Sequence, residues 1–142
     1  MDKHEIVLAA LAAGGDGASF PPAQVQKLLF LIDREIPDAV GGPHFHFVPY
    51  NYGPFDSDVY AHLQAEEQNG YINIDRNGRY QRYSLTGVGM AVGKIILAKL
   101  PEDVRGFLAD TATWVNKLTF SQLVSAIYKH YPDMKVNTVF RE

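Results

Sequence analysis

The sequence predicts an α+β fold that is mostly helical, and three observations carry that reading. Apolar residues recur at helical spacing, most clearly at Val25, Leu28, Leu29, Ile32 and Ile36. Two short runs, Tyr71 to Ile74 and Tyr80 to Leu85, alternate around Asn77-Gly78 as the strands of a half-buried hairpin do. A helical run closes at Gly70 just before the hairpin, and another opens near Thr86 just after it. Helix, hairpin, helix is the order in which a winged-helix domain ends, with the hairpin as the wing. The expected architecture is therefore winged-helix-like with extra C-terminal helices. Such domains bind DNA, RNA or other proteins, and the fold alone does not choose among them.

The elements follow in chain order. Asp2 to Ala13 reads as a first helix, because Asp2 and Glu5 have capping-box spacing and Gly14, Gly15 and Gly17 break it. Pro21-Pro22 opens a second helix, where proline costs nothing because that N–H has no intrahelical partner. Phe30 and Leu31 widen its apolar face, which marks it as the central core helix, and Pro37 and Gly41-Gly42-Pro43 end it. His44 to Tyr52 reads as a strand that Pro49 restricts to an edge or bend. Gly53-Pro54 is expected to turn the chain into a helix over about Asp56 to Asn69, packing through Val59, Tyr60 and Leu63. In the hairpin, Asn77-Gly78 suits a two-residue type I′ turn, which needs positive φ at both positions. Val88 to Leu100 is a further helix, with Gly89 and Gly93 weakening the pattern. Pro101 opens a helix carrying Val104, Phe107, Leu108, Val115 and Leu118 at helical spacing. Thr119 opens the last one, with Gln122 completing a second capping box. Phe120, Leu123, Val124, Ile127, Tyr128 and Tyr131 form its apolar face, and Pro132 stops it. A single domain is expected, with a winged-helix-like core over about 1–99 and a helical extension over about 101–132. That extension either completes the core or offers a docking surface.

Composition narrows the function classes. The chain has 142 residues, enough to bury a sizeable core, and no cysteine. Disulfides, thiol catalysis and cysteine-ligated metal centres are excluded. No window approaches the roughly 20 apolar residues that cross a bilayer. The start, MDKHEIVLAALAAGG, reads as a capped helix rather than a secretory signal, so a cytoplasmic protein is the expectation. Net charge is −3, unevenly spread. Residues 50–70 carry Asp56, Asp58, Glu66 and Glu67 with no lysine or arginine, whereas 71–100 carry Arg76, Arg79, Arg82, Lys94 and Lys99 against Asp75 alone. The helix that would enter a DNA groove is thus acidic and should be repelled by phosphates, which leaves only the wing suited to nucleic acid.

Four segments, QKLLFLI (Gln26 to Ile32), YNYGPFDSDVY (Tyr50 to Tyr60), NGYI (Asn69 to Ile72) and YSLTGVG (Tyr83 to Gly89), carry a family resemblance. Together they resemble the Panacea or SocA-like antitoxin group. Its pattern is a QKLLY-type helix, an aromatic-rich Gly-Pro turn and a Val-Tyr pair a few residues on. Phe55 departs from that pattern, standing where an aliphatic residue is frequent. The resemblance implies a protein that neutralises a toxin by direct contact, or serves as a protease adaptor. The helices beyond Gly89 match no pattern of that group.

Candidate contact residues follow from chemistry. Tyr50, Tyr52, Phe55 and Tyr60 place four aromatics around a rigid turn, and aromatics anchor interfaces at low entropic cost. Tyr50 and Tyr52 would share one side of an extended strand and form the leading recognition patch, against the commoner reading in which such rings lock the strand to the helices. Asp58, Glu66 and Glu67 on the acidic helix complete the expected partner-binding set. Arg76, Arg79 and Arg82 would serve a nucleic-acid backbone or an acidic partner, or merely protect a hairpin edge.

The catalytic inventory is thin. His44 and His46 at i and i+2, with Asp58 and His62 a turn apart, have usable metal-ligand spacing, but nothing in the sequence brings them together. Ser57 and Ser84 lack a nucleophile elbow, and Gly87-x-Gly89 reads as helix-entry flexibility rather than a nucleotide loop. The expectation is a non-enzyme without cofactor or metal that binds a protein, either a toxin or a protease-adaptor target. A wing-based DNA-binding regulator is the alternative, and a second copy of the chain is a further candidate partner.

Overall fold

The structure is a computed structural model that describes residues 1–141. It is α+β, with two small antiparallel hairpins set among six helices in the described residues. The helices are α1 (Lys3–Ala12), α2 (Pro22–Glu35), α3 (Ser57–Gln68), α4 (Gly87–Ala98), α5 (Glu102–Lys117) and α6 (Phe120–His130). Strands β1 (Val48–Tyr50) and β2 (Gly53–Phe55) lie between α2 and α3, and β3 (Ile72–Asp75) and β4 (Arg82–Leu85) lie between α3 and α4. Short 3₁₀ turns occupy Asp38–Val40 and Pro132–Lys135.

Local chemistry sets most helix boundaries. Both expected capping boxes form: Asp2 accepts from the Glu5 N–H on α1, and Thr119 accepts from the Gln122 N–H on α6, each with the reciprocal bond. Thr86 caps α4 by accepting from the Gly89 N–H at 3.0 Å. In α1, every residue from Ile6 to Ala12 is buried, as expected of a helix apolar all round. It is surrounded by α2, α3, α4 and α5.

Helix α2 is the other core element, buried from Gln24 to Asp33. Three of its buried polar side chains, Gln24, Gln26 and Asp33, each reach a different loop. The Gln24 amide donates to the Asn116 and Leu118 carbonyls at the end of α5. Gln26 makes a reciprocal pair with the Asp56 backbone, donating to its carbonyl at 2.9 Å and accepting its N–H at 3.0 Å. The Asp33 carboxylate accepts the N–H groups of His44 and Phe45 at 3.0 and 2.9 Å. Burial of these three is thus compensated by hydrogen bonding, as an apolar interior requires.

The last two helices complete the core. Leu108, Ala112 and Val115 on α5 and Leu123, Val124 and Ile127 on α6 are buried, with both helices packed against α2. The buried leucine, valine and isoleucine side chains among these each contribute roughly 1.5–3 kcal/mol, so α5 and α6 are structural parts of the fold.

Several expectations are corrected. The strand expected over His44 to Tyr52 shrinks to Val48–Tyr50, because Asp33 draws the 44–45 backbone onto α2. Gly53-Pro54 is not a turn into α3. It belongs to β2, and Pro49 faces Pro54 across the ladder. Neither proline has an N–H, so this pair cannot exchange ladder bonds and its carbonyls face outward. The Asn77-Gly78 turn is also different. Ile72 pairs with Leu85 and Asp75 with Arg82, so residues 76–81 all lie outside the ladder. Neither Asn77 nor Gly78 has positive φ. The Asp75 carboxylate instead accepts the Asn77 N–H at 2.9 Å, an Asx turn, and Arg76 is drawn toward α3. Displacing the register by two residues keeps the same side chains inward, which is why the alternation was still readable.

Helix α4 depends on its glycines. A Cβ at Gly93 would lie 2.6 Å from the Ala12 Cβ and 2.8 Å from the Leu8 carbonyl oxygen, and one at Gly89 would collide with the Tyr71 carbonyl oxygen. These positions permit close approach of backbones, and Gly89 is a packing position rather than a source of flexibility. On α6, Phe120 is not part of the buried face and is 46% exposed.

Candidate functional site

The β1–β2 hairpin is the most distinctive surface. It is anchored from below by Gln26 on α2 and by Asp56, whose carboxylate accepts the N–H groups of His46 and Asp58 at 2.8 and 2.9 Å. The two segments QKLLFLI and YNYGPFDSDVY, thirty residues apart at Gln26 and Asp56, therefore touch through a buried amide–backbone pair. Lys27, the next residue of the first segment, runs under Gly53, its Cε 3.6 Å from where a Cβ would be. No carboxylate pairs with it among the described residues, and burial alone pushes its pKa down to about 8.

Above this base the aromatics divide into two groups. Tyr50 lies on Phe55 with ring centroids 5.0 Å apart, Phe55 contacts Tyr60 at 5.9 Å, and Tyr60 stacks on Tyr83 at 6.4 Å. Burial raises the pKa values of Tyr60 and Tyr83, so these two phenols are neutral at physiological pH. Tyr52 joins a second group, meeting Phe120 edge-on at 5.2 Å. The strand ends at Tyr50, so Tyr50 and Tyr52 do not share one strand face, and the turn splits them between the groups. Both remain well exposed, Tyr50 at 50% and Tyr52 at 44%, beside exposed Val48. Phe55 is half-buried between Tyr50 and Tyr60.

The acidic helix is less acidic at its surface than in sequence. Asp56 is a cap, and Asp58 is exposed in the first turn. Glu66 is 4% exposed and is not positioned to meet a partner. Its two oxygens lie 2.9 and 2.8 Å from Nδ1 of His4, which ties α3 to α1. His62, a turn earlier, lies 3.7 Å from the same carboxylate, beyond hydrogen-bond range, and its Nε2 is buried without a partner. Burial pushes the His62 pKa down, so the ring is neutral at pH 7 and the contact is not an ion pair there. Glu67 pairs with the β3–β4 hairpin through Arg76 at 2.7 Å, and the Arg76 hydrogen bond holds its pKa low.

Two of the three arginines of the β3–β4 hairpin are correspondingly committed. Arg76 makes a bidentate contact with Glu67, and Arg82 donates to the Ser19 hydroxyl and carbonyl at 2.7 and 2.9 Å. Arg79 lies over the Tyr80 ring at 5.9 Å in the exposed loop.

The histidines considered as ligands do not converge. His44 Nε2 contacts the Val40 carbonyl oxygen, and among the described residues no group of three or more His, Asp or Glu side chains is arranged to hold a metal ion. A separate shallow recess of about 700 Å³ lies between α2 and α5, lined by Leu31, Glu35, Phe107, Trp114 and Tyr131. Burial and nearby Glu35 raise the Tyr131 phenol to about 12, so it is neutral at physiological pH. Sequence reasoning missed this recess, the His4–Glu66 clamp and buried Lys27. Lys27 alone left a signal, as a lysine inside the apolar run of α2.

Comparison with protein-family models and with curated proteins finds no match to this chain. No helix among the described residues is long and apolar enough to cross a membrane.

Proposed function

We propose that the chain is a non-catalytic protein-binding module of winged-helix-like build, similar to the Panacea or SocA-like antitoxins, that neutralises or adapts a partner protein by direct contact. The observation that carries this reading is the proline-stiffened β1–β2 hairpin presenting Tyr50 and Tyr52 to solvent on a buried hydrogen-bonded base. Exposed aromatics on a rigid support are the residue type and setting that dominate protein interfaces. Two further observations support it. Phe20, between α1 and α2, exchanges backbone hydrogen bonds with Tyr83 at 2.8 and 2.9 Å, adding a one-residue strand to the wing. A short strand in that place, bridged to the second wing strand, accords with a winged helix. The two segments that carry the family resemblance also meet at Gln26 and Asp56.

The test is nuclease-treated capture of partners from native lysate with the tagged chain and its Tyr50→Ala/Tyr52→Ala variant. A stoichiometric protein retained by the first and lost by the second, with unchanged thermal stability, supports the reading. Retention by both places the contact elsewhere and refutes the hairpin as its site.

One observation favours the DNA-binding alternative. With Glu66 buried and Glu67 paired to Arg76, the outer face of α3 shows Ala61, Gln64, Ala65 and Gln68, with Asp58 in the first turn as its one exposed unpaired acid among the described residues. The predicted repulsion of phosphates is therefore reduced. That reading requires steeply salt-dependent DNA binding that Arg79→Glu abolishes, and absence of such binding at low salt would end it.

A further inference from the structure

Residues 136–141 have no regular secondary structure, yet they lie in a definite place along the outer side of β1. The Asn137 amide donates to the Pro49 carbonyl at 3.1 Å, and the Val139 N–H donates to the Asn51 carbonyl at 2.9 Å. The Thr138 hydroxyl donates to Asn51 at 3.3 Å, and its oxygen accepts the Tyr128 O–H at 2.7 Å and the Phe140 N–H at 3.0 Å. Phe140 then sets its ring against Phe120 and Tyr128, with centroids 6.3 and 6.4 Å away. Phe120 also holds Tyr52, so the segment joins the second aromatic group of the hairpin.

These contacts are of the kind a bound peptide makes. The main-chain carbonyls of Pro49 in β1 and of Asn51 in its turn accept from the segment, and the Phe140 ring packs against two neighbouring rings. The Pro49–Pro54 pair turns the Pro49 carbonyl outward without a competing N–H, leaving this edge an acceptor site. The segment makes no regular ladder and has exposed Val136 and Val139.

We propose that the outer edge of β1, with the neighbouring Phe120 and Tyr128 rings, is a docking site for a partner segment. That segment carries an aromatic residue two positions after a hydroxyl residue, and residues 136–141 are its resident, displaceable occupant. The inference rests on the protein-binding reading and specifies the partner segment for the same hairpin. A tethered occupant acts at millimolar effective concentration, so an intrinsic affinity near 100 μM lowers the apparent affinity of a competing segment about tenfold.

The test is fluorescence anisotropy with a labelled peptide of residues 135–142, titrated with the full chain and with its Phe140→Ala variant. The peptide should bind the variant about tenfold more tightly than the unaltered chain, and alanine in place of Phe140 in the peptide should abolish binding to both. The full-chain variant Val139→Pro, which removes one N–H at an exposed position, should likewise admit the peptide. Failure of the peptide to bind either variant, equal affinity for variant and unaltered chain, or indifference to the peptide's aromatic residue would each overturn the proposal. None of those results affects Tyr50- and Tyr52-dependent capture of a partner, so the two ideas fail separately.

Discussion

Glu66→Ala distinguishes a buried clamp from a surface contact and gives two separable readouts. Glu66 is 4% exposed and contacts His4 across 62 residues of sequence at 2.8 Å. A hydrogen bond to a charged acceptor is worth about 1.5–3 kcal/mol, and each buried methylene lost adds roughly 0.8 kcal/mol. Truncation also leaves His4 without its partner, so the expected loss is about 3 kcal/mol. For a chain of this length that lowers Tm by roughly 10 °C. Glu66→Gln keeps the shape and one acceptor oxygen, and should lose about 1 kcal/mol. Calorimetric melting at pH 7.5 measures both, and capture of the partner per folded molecule should be unchanged. If Glu66→Ala melts within about 1 °C of the parent while partner affinity changes, Glu66 is a contact residue and the clamp is refuted. The same cluster sets a pH dependence. His62 is neutral in both states above its ordinary value of 6.5, and burial lowers its folded pKa. The unfolded chain therefore takes up the proton first as pH falls through 6.5, and stability falls until the folded pKa is passed. The charged groups facing it are Glu66, His4, Lys3 and Asp2, and only the two carboxylates favour the proton. Melts from pH 7.5 to 5.5 should show a smaller decline in His62→Gln than in the parent.

Three further outcomes are expected. Gly93→Ala should cost about 1–3 kcal/mol by forcing α4 away from α1, measured by urea unfolding, and a neutral result would mean that the close approach is not needed. Lys27, lowered from 10.5 to about 8 by burial, binds fewer protons folded than unfolded between those values. Stability should thus rise from pH 8 to 9.5, and Lys27→Met should be more stable by roughly 2–3 kcal/mol at pH 7 and lack the rise. Arg82→Ala should destabilise by about 1–2 kcal/mol through loss of its bonds to Ser19, whereas Arg79→Ala should leave thermal melting unchanged.

Features that depend on near neighbours were legible from the residues alone. Capping boxes at Asp2 and Thr119, the proline start of α2 and the alternation of Ile72, Ile74, Tyr83 and Leu85 all involve residues within a turn or a strand. Their geometry follows from backbone preferences and holds in almost any surrounding. The Asn77-Gly78 turn failed because Asp75 and Arg76 found other partners, one of them on α3. The status of each charged or aromatic residue was left to the tertiary structure. Glu66 and Glu67 are adjacent and alike in sequence, yet one faces His4 in the interior and the other faces Arg76 at the surface. Lys27 is buried because α6 and the β1–β2 hairpin close over α2, and Tyr52 meets Phe120 because α6 returns to that hairpin. Such contacts join positions tens of residues apart. They depend on which faces of the packed helices meet, and helical spacing marks a face without naming its partner.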